Sequence, residues 1–253
     1  MSGFGEKSKS KKKSNKKYKL SKEQIINQAF HYHSKGKISE AIKYYQYCIN
    51  KGFNDCRVFS NYGMILQELG KLQEAEICHR KAIELQPNFA NGHCNLGNVL
   101  IDLGKFQDAE LFTRKAIEIN PHLGVAHSNL GIILKNLGKL QEAEISYRQA
   151  IELTPNYAET YTNLGNVLKN LGRLKDAEIY HRKAIELKPN YAEAYSNLAN
   201  VLRDLGKFQD AAKSSHKAIE IKPHLSEPYY SLSLIKNPDL NKIWQDQLFS
   251  EEI

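Results

Sequence analysis

Residues 158–191 read AETYTNLGNVLKNLGRLKDAEIYHRKAIELKPNY, and 34 residues later the pattern returns as AEAYSNLANVLRDLGKFQDAAKSSHKAIEIKPHL. The same pattern occurs three times before residue 158 in nearly the same form. It contains a Leu-Gly pair, a Gly that ends the first half, a small Ala in the second half and a closing Pro. A constant period with Gly, Ala and Pro at fixed places indicates a stack of helical repeats.

Six consecutive units of 34 residues account for most of the chain: 22–55, 56–89, 90–123, 124–157, 158–191 and 192–225. Glycine occupies one place in all six units, at Gly36, Gly70, Gly104, Gly138, Gly172 and Gly206. Proline closes the last five units, at Pro87, Pro121, Pro155, Pro189 and Pro223. We therefore predict three regions, namely a tail (1–21), a repeat body (22–225) and a C-terminal segment (226–253).

Each unit is predicted to form two helices. In the fifth unit Tyr161, Leu164 and Leu168 recur at the spacing of one apolar helix face. Gly172 then ends the first helix, and Pro189 ends the second. Asn190 together with Glu193 reads as a capping box that opens the next unit. The sequence thus predicts an all-α protein made of helix pairs.

This set of residues resembles the tetratricopeptide repeat, and the resemblance covers residues 22–225. It implies an α-solenoid, a right-handed superhelix of six antiparallel helix pairs completed by C-terminal capping helices. First helices would line a concave groove, and second helices would form the convex back. Closely similar repeats occur in the arm of O-linked N-acetylglucosamine transferase. Others precede sulfotransferase and glycosyltransferase domains in bacterial proteins.

The two ends of the chain differ from the repeats. Residues 1–19 hold eight Lys and one Glu, which is seven of the eight net positive charges, so we expect a disordered Lys-rich tail. That tail is either a solvated, solubilising segment or a tether to RNA, ribosomes or acidic lipid. Residues 226–253 read as a partial seventh unit and a capping helix with Trp244. The capping helix either covers the open end of the stack or docks a partner domain.

The composition argues against secretion and membrane insertion. No apolar run approaches the roughly 20 residues that span a bilayer, and no apolar stretch follows the charged N-terminus. The four cysteines, Cys48, Cys56, Cys78 and Cys94, form no Cys-x-x-Cys pair and do not match a zinc module. We therefore expect reduced thiols and a cytoplasmic protein.

No motif in the chain points to catalysis. The nucleotide-binding, hydrolase and zinc-protease patterns are absent from the sequence. His93 and His127 are in phase in adjacent first helices but lack a third ligand in phase with them. We expect no enzyme activity, cofactor, metal or small-molecule substrate. The partners are predicted to be other proteins or peptides.

A row of asparagines is the strongest functional signal. One asparagine lies at the same place in every predicted first helix, at Asn27, Asn61, Asn95, Asn129, Asn163 and Asn197. Asparagine costs up to about 0.7 kcal/mol relative to alanine inside a helix, so its recurrence needs a reason. A second, partial row follows three residues later, at Asn98, Asn166 and Asn200.

Two interpretations of the asparagine row stay open. Helices pack about 8–10 Å apart and an extended peptide advances about 3.3 Å per residue, so one amide per repeat meets a peptide every third residue. The resemblance to O-linked N-acetylglucosamine transferase supports this, because a similar row in that arm holds peptide backbone. Alternatively, each asparagine bonds only its neighbouring helix and orders the stack.

The sequence thus favours a scaffold that binds extended polypeptide segments in a concave groove. The alternative is the substrate-recognition arm of a glycosyltransferase or sulfotransferase whose catalytic domain is absent from this chain. A clamp for acidic chaperone C-termini is disfavoured, because the residues before the row are not basic. The partner's identity and the oligomeric state are left open by the sequence.

Overall fold

The computed structural model describes residues 20–235, which contain thirteen α-helices and, within that range, no β-strand. The all-α prediction is therefore confirmed. The helices belong to two compact units that divide between Asn54 and Asp55, and each unit is described separately below. The predicted tail up to residue 19 and the predicted capping helix beyond residue 235 lie outside the described residues.

The first unit is one helix pair, α1 (Lys22–Ser34) and α2 (Ile38–Asn50). A capping box opens α1: Gln24 N donates to Ser21 Oγ over 3.2 Å, and Ser21 N donates to Gln24 Oε1 over 2.8 Å. Gly36 turns the chain between the helices with a φ of 68°. Tyr45 is fully buried between them, and His33 Nδ1 lies 3.1 Å from its hydroxyl.

The second unit contains the other eleven helices. The first helix of each repeat is α3 (Cys56–Glu68), α5 (Ala90–Asp102), α7 (Gly124–Asn136), α9 (Ala158–Asn170), α11 (Ala192–Asp204) or α13 (Ser226–Ser233). The second helix is α4 (Leu72–Leu85), α6 (Phe106–Ile119), α8 (Leu140–Leu153), α10 (Leu174–Leu187) or α12 (Phe208–Ile221). Each first helix begins at the first residue of a 34-residue sequence period.

Glycine ends the first helices as the sequence predicts. Gly172 has a φ of 77°, a left-handed conformation that side chains disfavour. Its N–H donates to Lys169 O, and Arg173 N donates to Leu168 O, both over 2.9 Å. The predicted capping box at Asn190 is wrong. The N-cap of α11 is Tyr191, and Glu193 accepts instead from Lys222 Nζ over 2.8 Å.

The second unit is a solenoid of two helical layers. Each helix packs on its partner within the repeat and on the first helix of the next repeat. Successive first helices also contact one another from α3 to α13, and within the described residues no comparable contact joins successive second helices. The first helices therefore form the closer, inner layer of this unit. Leu232 of α13 and Ile235 pack against Leu198 and Leu202 of α11.

Small residues allow the two helices of a repeat to meet over a buried ring. A Cβ placed on Gly165 would lie 2.7 Å from His181 Cε1, and one on Gly131 would lie 2.6 Å from Tyr147 Cε1. Repeat 192–225 has Ala199 in this position and a small buried Ser215 opposite it. The glycines of the Leu-Gly pairs are thus packing residues.

Ion pairs join each second helix to the following repeat. Glu178 accepts from Arg182 Nη2 on its own helix over 2.9 Å and from Lys207 Nζ of the next repeat over 2.7 Å. Glu144 does the same with Arg148 and Arg173, both over 2.8 Å. The same carboxylates thus pair within their own helix and bridge to the next repeat.

Candidate functional site

The asparagine row of the second unit runs along the inner layer of helices. It comprises one residue on each of α3, α5, α7, α9 and α11: Asn61, Asn95, Asn129, Asn163 and Asn197. Four of these are half-buried, whereas Asn129 is only 6% exposed. Asn27 is exposed on α1 of the first unit.

Two members of the row are bonded to the preceding first helix. Asn95 Nδ2 donates to Ser60 Oγ over 3.1 Å, and Asn129 Nδ2 lies 3.7 Å from Cys94 Sγ. Ser60 and Cys94 are the small, buried residues just before the row members Asn61 and Asn95. Each contact joins an asparagine to the residue just before the preceding member of the row, across the seam between two repeats. The amide nitrogen of that asparagine therefore faces the protein.

The other members of the row have no such bond. Within residues 20–235, Asn61, Asn163 and Asn197 have no hydrogen-bond partner for their side chains. Ser128 precedes Asn129 and would be the counterpart for Asn163, but its hydroxyl lies 3.4 Å from Thr160 Oγ1. The row therefore contains both bonded and unbonded amides.

The residue before each asparagine has a structural role that was not predicted from the sequence. This residue is small and almost fully buried throughout the second unit, at Ser60, Cys94, Ser128, Thr162 and Ser196. Its size lets the next first helix approach, and its hydroxyl or thiol accepts from the next amide where the geometry allows. This small residue recurs every 34 residues, as the asparagines do, and that recurrence in the sequence could have predicted its role.

The second, partial row is less uniform. Asn200 Oδ1 accepts from Arg203 Nη1 over 3.2 Å on the same helix. Asn98 and Asn166 are half-buried and have no side-chain hydrogen bond to any described residue. Within this second row, Asn98 and Asn166 therefore keep both the amide oxygen and the amide nitrogen available.

Charged side chains near the ends of α9 and α11 are paired with each other. Lys169 Nζ lies 3.4 Å from Asp204 Oδ2, and Arg203 Nη2 lies 3.1 Å from Asp204 Oδ1. Gln67 Nε2 donates to Asp102 Oδ2 over 2.6 Å. Glu68 and Lys135, near the ends of α3 and α7, have no ion pair within residues 20–235, so the inner layer offers some free charge as well as amides.

Histidines and tyrosines share one structural role at the start of the first helices. His93 Nε2 donates to Pro87 O and His127 Nε2 donates to Pro121 O, both over 2.9 Å. Tyr161 Oη donates in the same way to Pro155 O over 2.9 Å. The shared type of partner explains why both His and Tyr occur at this place. Within residues 20–235, no group of three or more His, Cys, Asp or Glu is arranged to hold a metal ion.

Burial keeps two further histidines and two thiols uncharged. His79 and His181 are 0% exposed, and burial lowers the pKa of each imidazole to about 4. Burial raises the pKa of the Cys78 thiol to about 11 and that of Cys94 to about 12. None of these groups is poised for acid–base or nucleophilic chemistry near neutral pH.

A separate apolar pocket lies in the first unit. It has a volume of about 630 Å³, and aromatic and basic side chains contribute to its lining, among them Tyr44, Tyr47, Phe53, Lys43 and Lys51. Lys51 Nζ lies 5.6 Å from the ring centroid of Tyr47, so a cation–π contact pairs this lysine within the pocket. The pocket contains no member of the asparagine row.

Sequence comparisons identify the repeat. A model of the tetratricopeptide repeat matches residues 122–190 and 156–224. Further models of the same repeat match residues 90–123, 63–104 and 23–49. The chain belongs to the tetratricopeptide repeat family. No curated protein matches this tetratricopeptide repeat chain.

Solved structures of other tetratricopeptide repeat proteins share the fold. YrrB, described as having an unusual peptide-binding site, aligns with a TM-score of 0.60 and 24% identity over 75% of this chain and 98% of YrrB. MamA aligns with a TM-score of 0.58 and 25% identity over 64% of this chain and 94% of MamA. A chain of the APC/C hetero-tetramer Cut9–Hcn1 aligns with a TM-score of 0.78 and 18% identity, over 86% of this chain but 43% of its own. No helix within residues 20–235 is long and apolar enough to cross a bilayer.

Proposed function

We propose that this tetratricopeptide repeat protein binds extended segments of other proteins along its first helices. The asparagine row holds the peptide backbone, and neighbouring side chains select the sequence. The observation that carries this proposal is the state of Asn163 and Asn197, which are half-buried in the row without a partner among the described residues. Their amide atoms are accessible to solvent, so a ligand can replace the water there with a net gain of about 1 kcal/mol for each hydrogen bond.

The bonded members of the row support the same function in a different way. The bond from Asn95 Nδ2 to Ser60 Oγ fixes the amide plane and leaves its carbonyl oxygen as an acceptor. Such an amide accepts from a peptide N–H, whereas an unbonded amide donates and accepts. A peptide group offers both a donor and an acceptor, so both kinds of row member suit backbone recognition.

The fold agrees with this function without establishing it. YrrB, a protein of the same fold, is described as carrying a peptide-binding site. The alternative of a substrate-recognition arm for a glycosyltransferase or sulfotransferase stays a prediction, because no feature of residues 20–235 favours it over peptide binding alone. Contact of the Lys-rich tail with nucleic acid or membrane also stays a prediction.

The test uses a random-peptide phage library selected on the full chain. Titration calorimetry then compares a selected peptide on the wild type and on the double variant Asn163→Ala, Asn197→Ala. We expect at least about a tenfold loss of affinity, because each alanine removes a contact that nothing in the protein replaces. Asn190→Ala, in the loop before α11, is the matched control and should bind normally. Equal binding by the double variant, with its folding intact, would refute backbone capture by the row.

A further inference from the structure

One side of the second helices carries an exposed aliphatic residue in four successive repeats. This aliphatic row consists of Ile77, Leu111, Ile145 and Ile179, on α4, α6, α8 and α10, and 63% to 68% of each residue is exposed. Lys213 takes the same place in α12 and interrupts the row. Single exposed aliphatic residues are ordinary, but a recurrence at one place in four repeats forms a periodic apolar surface that marks an interaction site.

Charges on both sides of the aliphatic row follow a fixed order. Residues three and four positions away on a helix lie on the same face as the aliphatic residue. Three positions before it stands an acid, at Glu74, Asp108, Glu142 and Asp176. Four positions after it stands Lys81, Lys115, Gln149 or Lys183. The face thus changes from acidic to apolar to basic along the helix.

This order is complementary to itself when two helices run antiparallel. If the aliphatic residues of two copies meet, the acid three positions before one of them lies opposite the lysine four positions after the other. If the two helices run parallel, the lysine of one copy faces the arginine three positions after the aliphatic residue of the other. Antiparallel contact is therefore attractive, and parallel contact is repulsive.

The complementarity is complete only in α4 and α6. There the pairs are Glu74 with Lys81 and Asp108 with Lys115 of the other copy. In α8 the acid would face the neutral Gln149. In α10 the arginine three positions after the aliphatic residue would face Lys175 of the other copy, and these charges repel.

We propose that the exposed face of α4 and α6 binds a second copy of this chain, with α4 and α6 of the two copies antiparallel. Ile77 meets Ile77 and Leu111 meets Leu111 of the other copy, on a twofold axis that runs along the aliphatic row. Lys115 also pairs with Glu118 on its own helix over 2.7 Å. Exposed pairs of this kind contribute little, so exchanging that partner for Asp108 of the second copy costs little.

Sedimentation of the full chain over a range of concentrations tests this proposal. We expect a reversible dimer, and at least about a tenfold increase in its dissociation constant for Ile77→Glu with Leu111→Glu, which places like charges at the contact. Ile179→Glu is the matched control, because it has the same exposure and register outside the proposed contact. A chain that stays monomeric, or a dimer that survives the double variant, would overturn the proposal.

Charge exchange separates a specific contact from a loss of folding. Asp108→Lys alone and Lys115→Asp alone should each weaken the dimer, and the two together should restore it. Oxidation of Leu111→Cys should give a linked dimer, with the wild type as the control for native cysteines. A mixture of the Leu111→Cys and Ile145→Cys chains should give no mixed dimer in this register. Mixed dimers as abundant as the dimers linked through position 111 of both copies would show that the antiparallel register is wrong.

Discussion

Asn95 Nδ2 donates a 3.1 Å hydrogen bond to Ser60 Oγ, so a side chain of one repeat is held by a buried hydroxyl of the preceding repeat. The bond links α5 to α3 at the seam between two first helices. It gives this asparagine a structural role that Asn163, without a partner in residues 20–235, does not have. The structural interpretation of the row therefore holds for Asn95, whereas peptide binding by the row stays a proposal.

The first prediction concerns the stability that the Asn95–Ser60 bond provides. Ser60→Ala and Asn95→Ala should each lose about 1 kcal/mol of unfolding free energy with the neutral hydrogen bond, and the better helix propensity of alanine offsets part of that loss. The double variant should cost less than the sum of the single changes. Urea unfolding followed by circular dichroism measures all three.

Asn163→Ala is the comparison for that series. It removes no hydrogen bond within the described residues, and alanine improves helix propensity by up to about 0.7 kcal/mol. This variant should be as stable as the wild type or slightly more stable. A loss as large as that of Asn95→Ala would mean that Asn163 also orders the stack.

The second prediction concerns the buried histidines and pH. The pKa of His181 is about 4 in the folded chain, against an ordinary value of about 6.5, because burial disfavours the charged ring. Below pH 6.5 the unfolded chain binds a proton that the folded chain does not, so stability falls as the pH drops towards 4. The loss reaches about 3 kcal/mol for this residue. Above pH 6.5 the residue contributes no pH dependence.

His181→Phe tests this dependence, because the equivalent place opposite Gly131 already holds the ring of Tyr147. Urea midpoints between pH 4 and pH 7 should fall less steeply for this variant than for the wild type. His224→Phe, in the exposed loop before α13, should leave the slope unchanged. An unchanged slope for His181→Phe would show that the ring is protonated in the folded chain.

The third prediction concerns the close approach of Gly165 to His181. Gly165→Ala places a Cβ 2.7 Å from His181 Cε1, so the variant should lose about 1–3 kcal/mol of stability through overpacking. The pair Ala199 and Ser215 shows the compensating arrangement within this chain. Gly165→Ala with His181→Ser should therefore be more stable than the sum of the single changes predicts, by about 1 kcal/mol. Additive losses in thermal or urea unfolding would show that the ring moves aside freely.

Helix pairs, turns and packing glycines could be predicted from the sequence because each depends on residues within one repeat. Gly172 ends its helix through its own left-handed conformation, which requires no contact outside the repeat. The first helices likewise begin at the repeat boundaries. The prediction failed at Asn190 because capping depends on where the loop places a side chain. There the helix begins after Tyr191, and Glu193 is drawn to Lys222.

The candidate site could be predicted as a row of positions but not as a set of contacts. Whether an amide finds a partner depends on the buried residue of the preceding repeat. Ser60 accepts from Asn95, whereas Ser128 lies next to Thr160 instead. The exposure of the aliphatic row could have been predicted from the sequence, because the residues three and four positions from Ile145 are the polar Gln141, Glu142, Arg148 and Gln149.

Backbone capture by the asparagine row is tested most directly by the side-chain amide signals of Asn163 and Asn197 in nuclear magnetic resonance spectra. A peptide selected on the wild-type chain is titrated in, and the signals are assigned from the Asn163→Ala and Asn197→Ala variants. We predict that both amide signals shift in proportion to the bound fraction, while the signal of Asn190 stays in place. Saturation of binding with the Asn163 and Asn197 signals unmoved would contradict a peptide-binding role for the row.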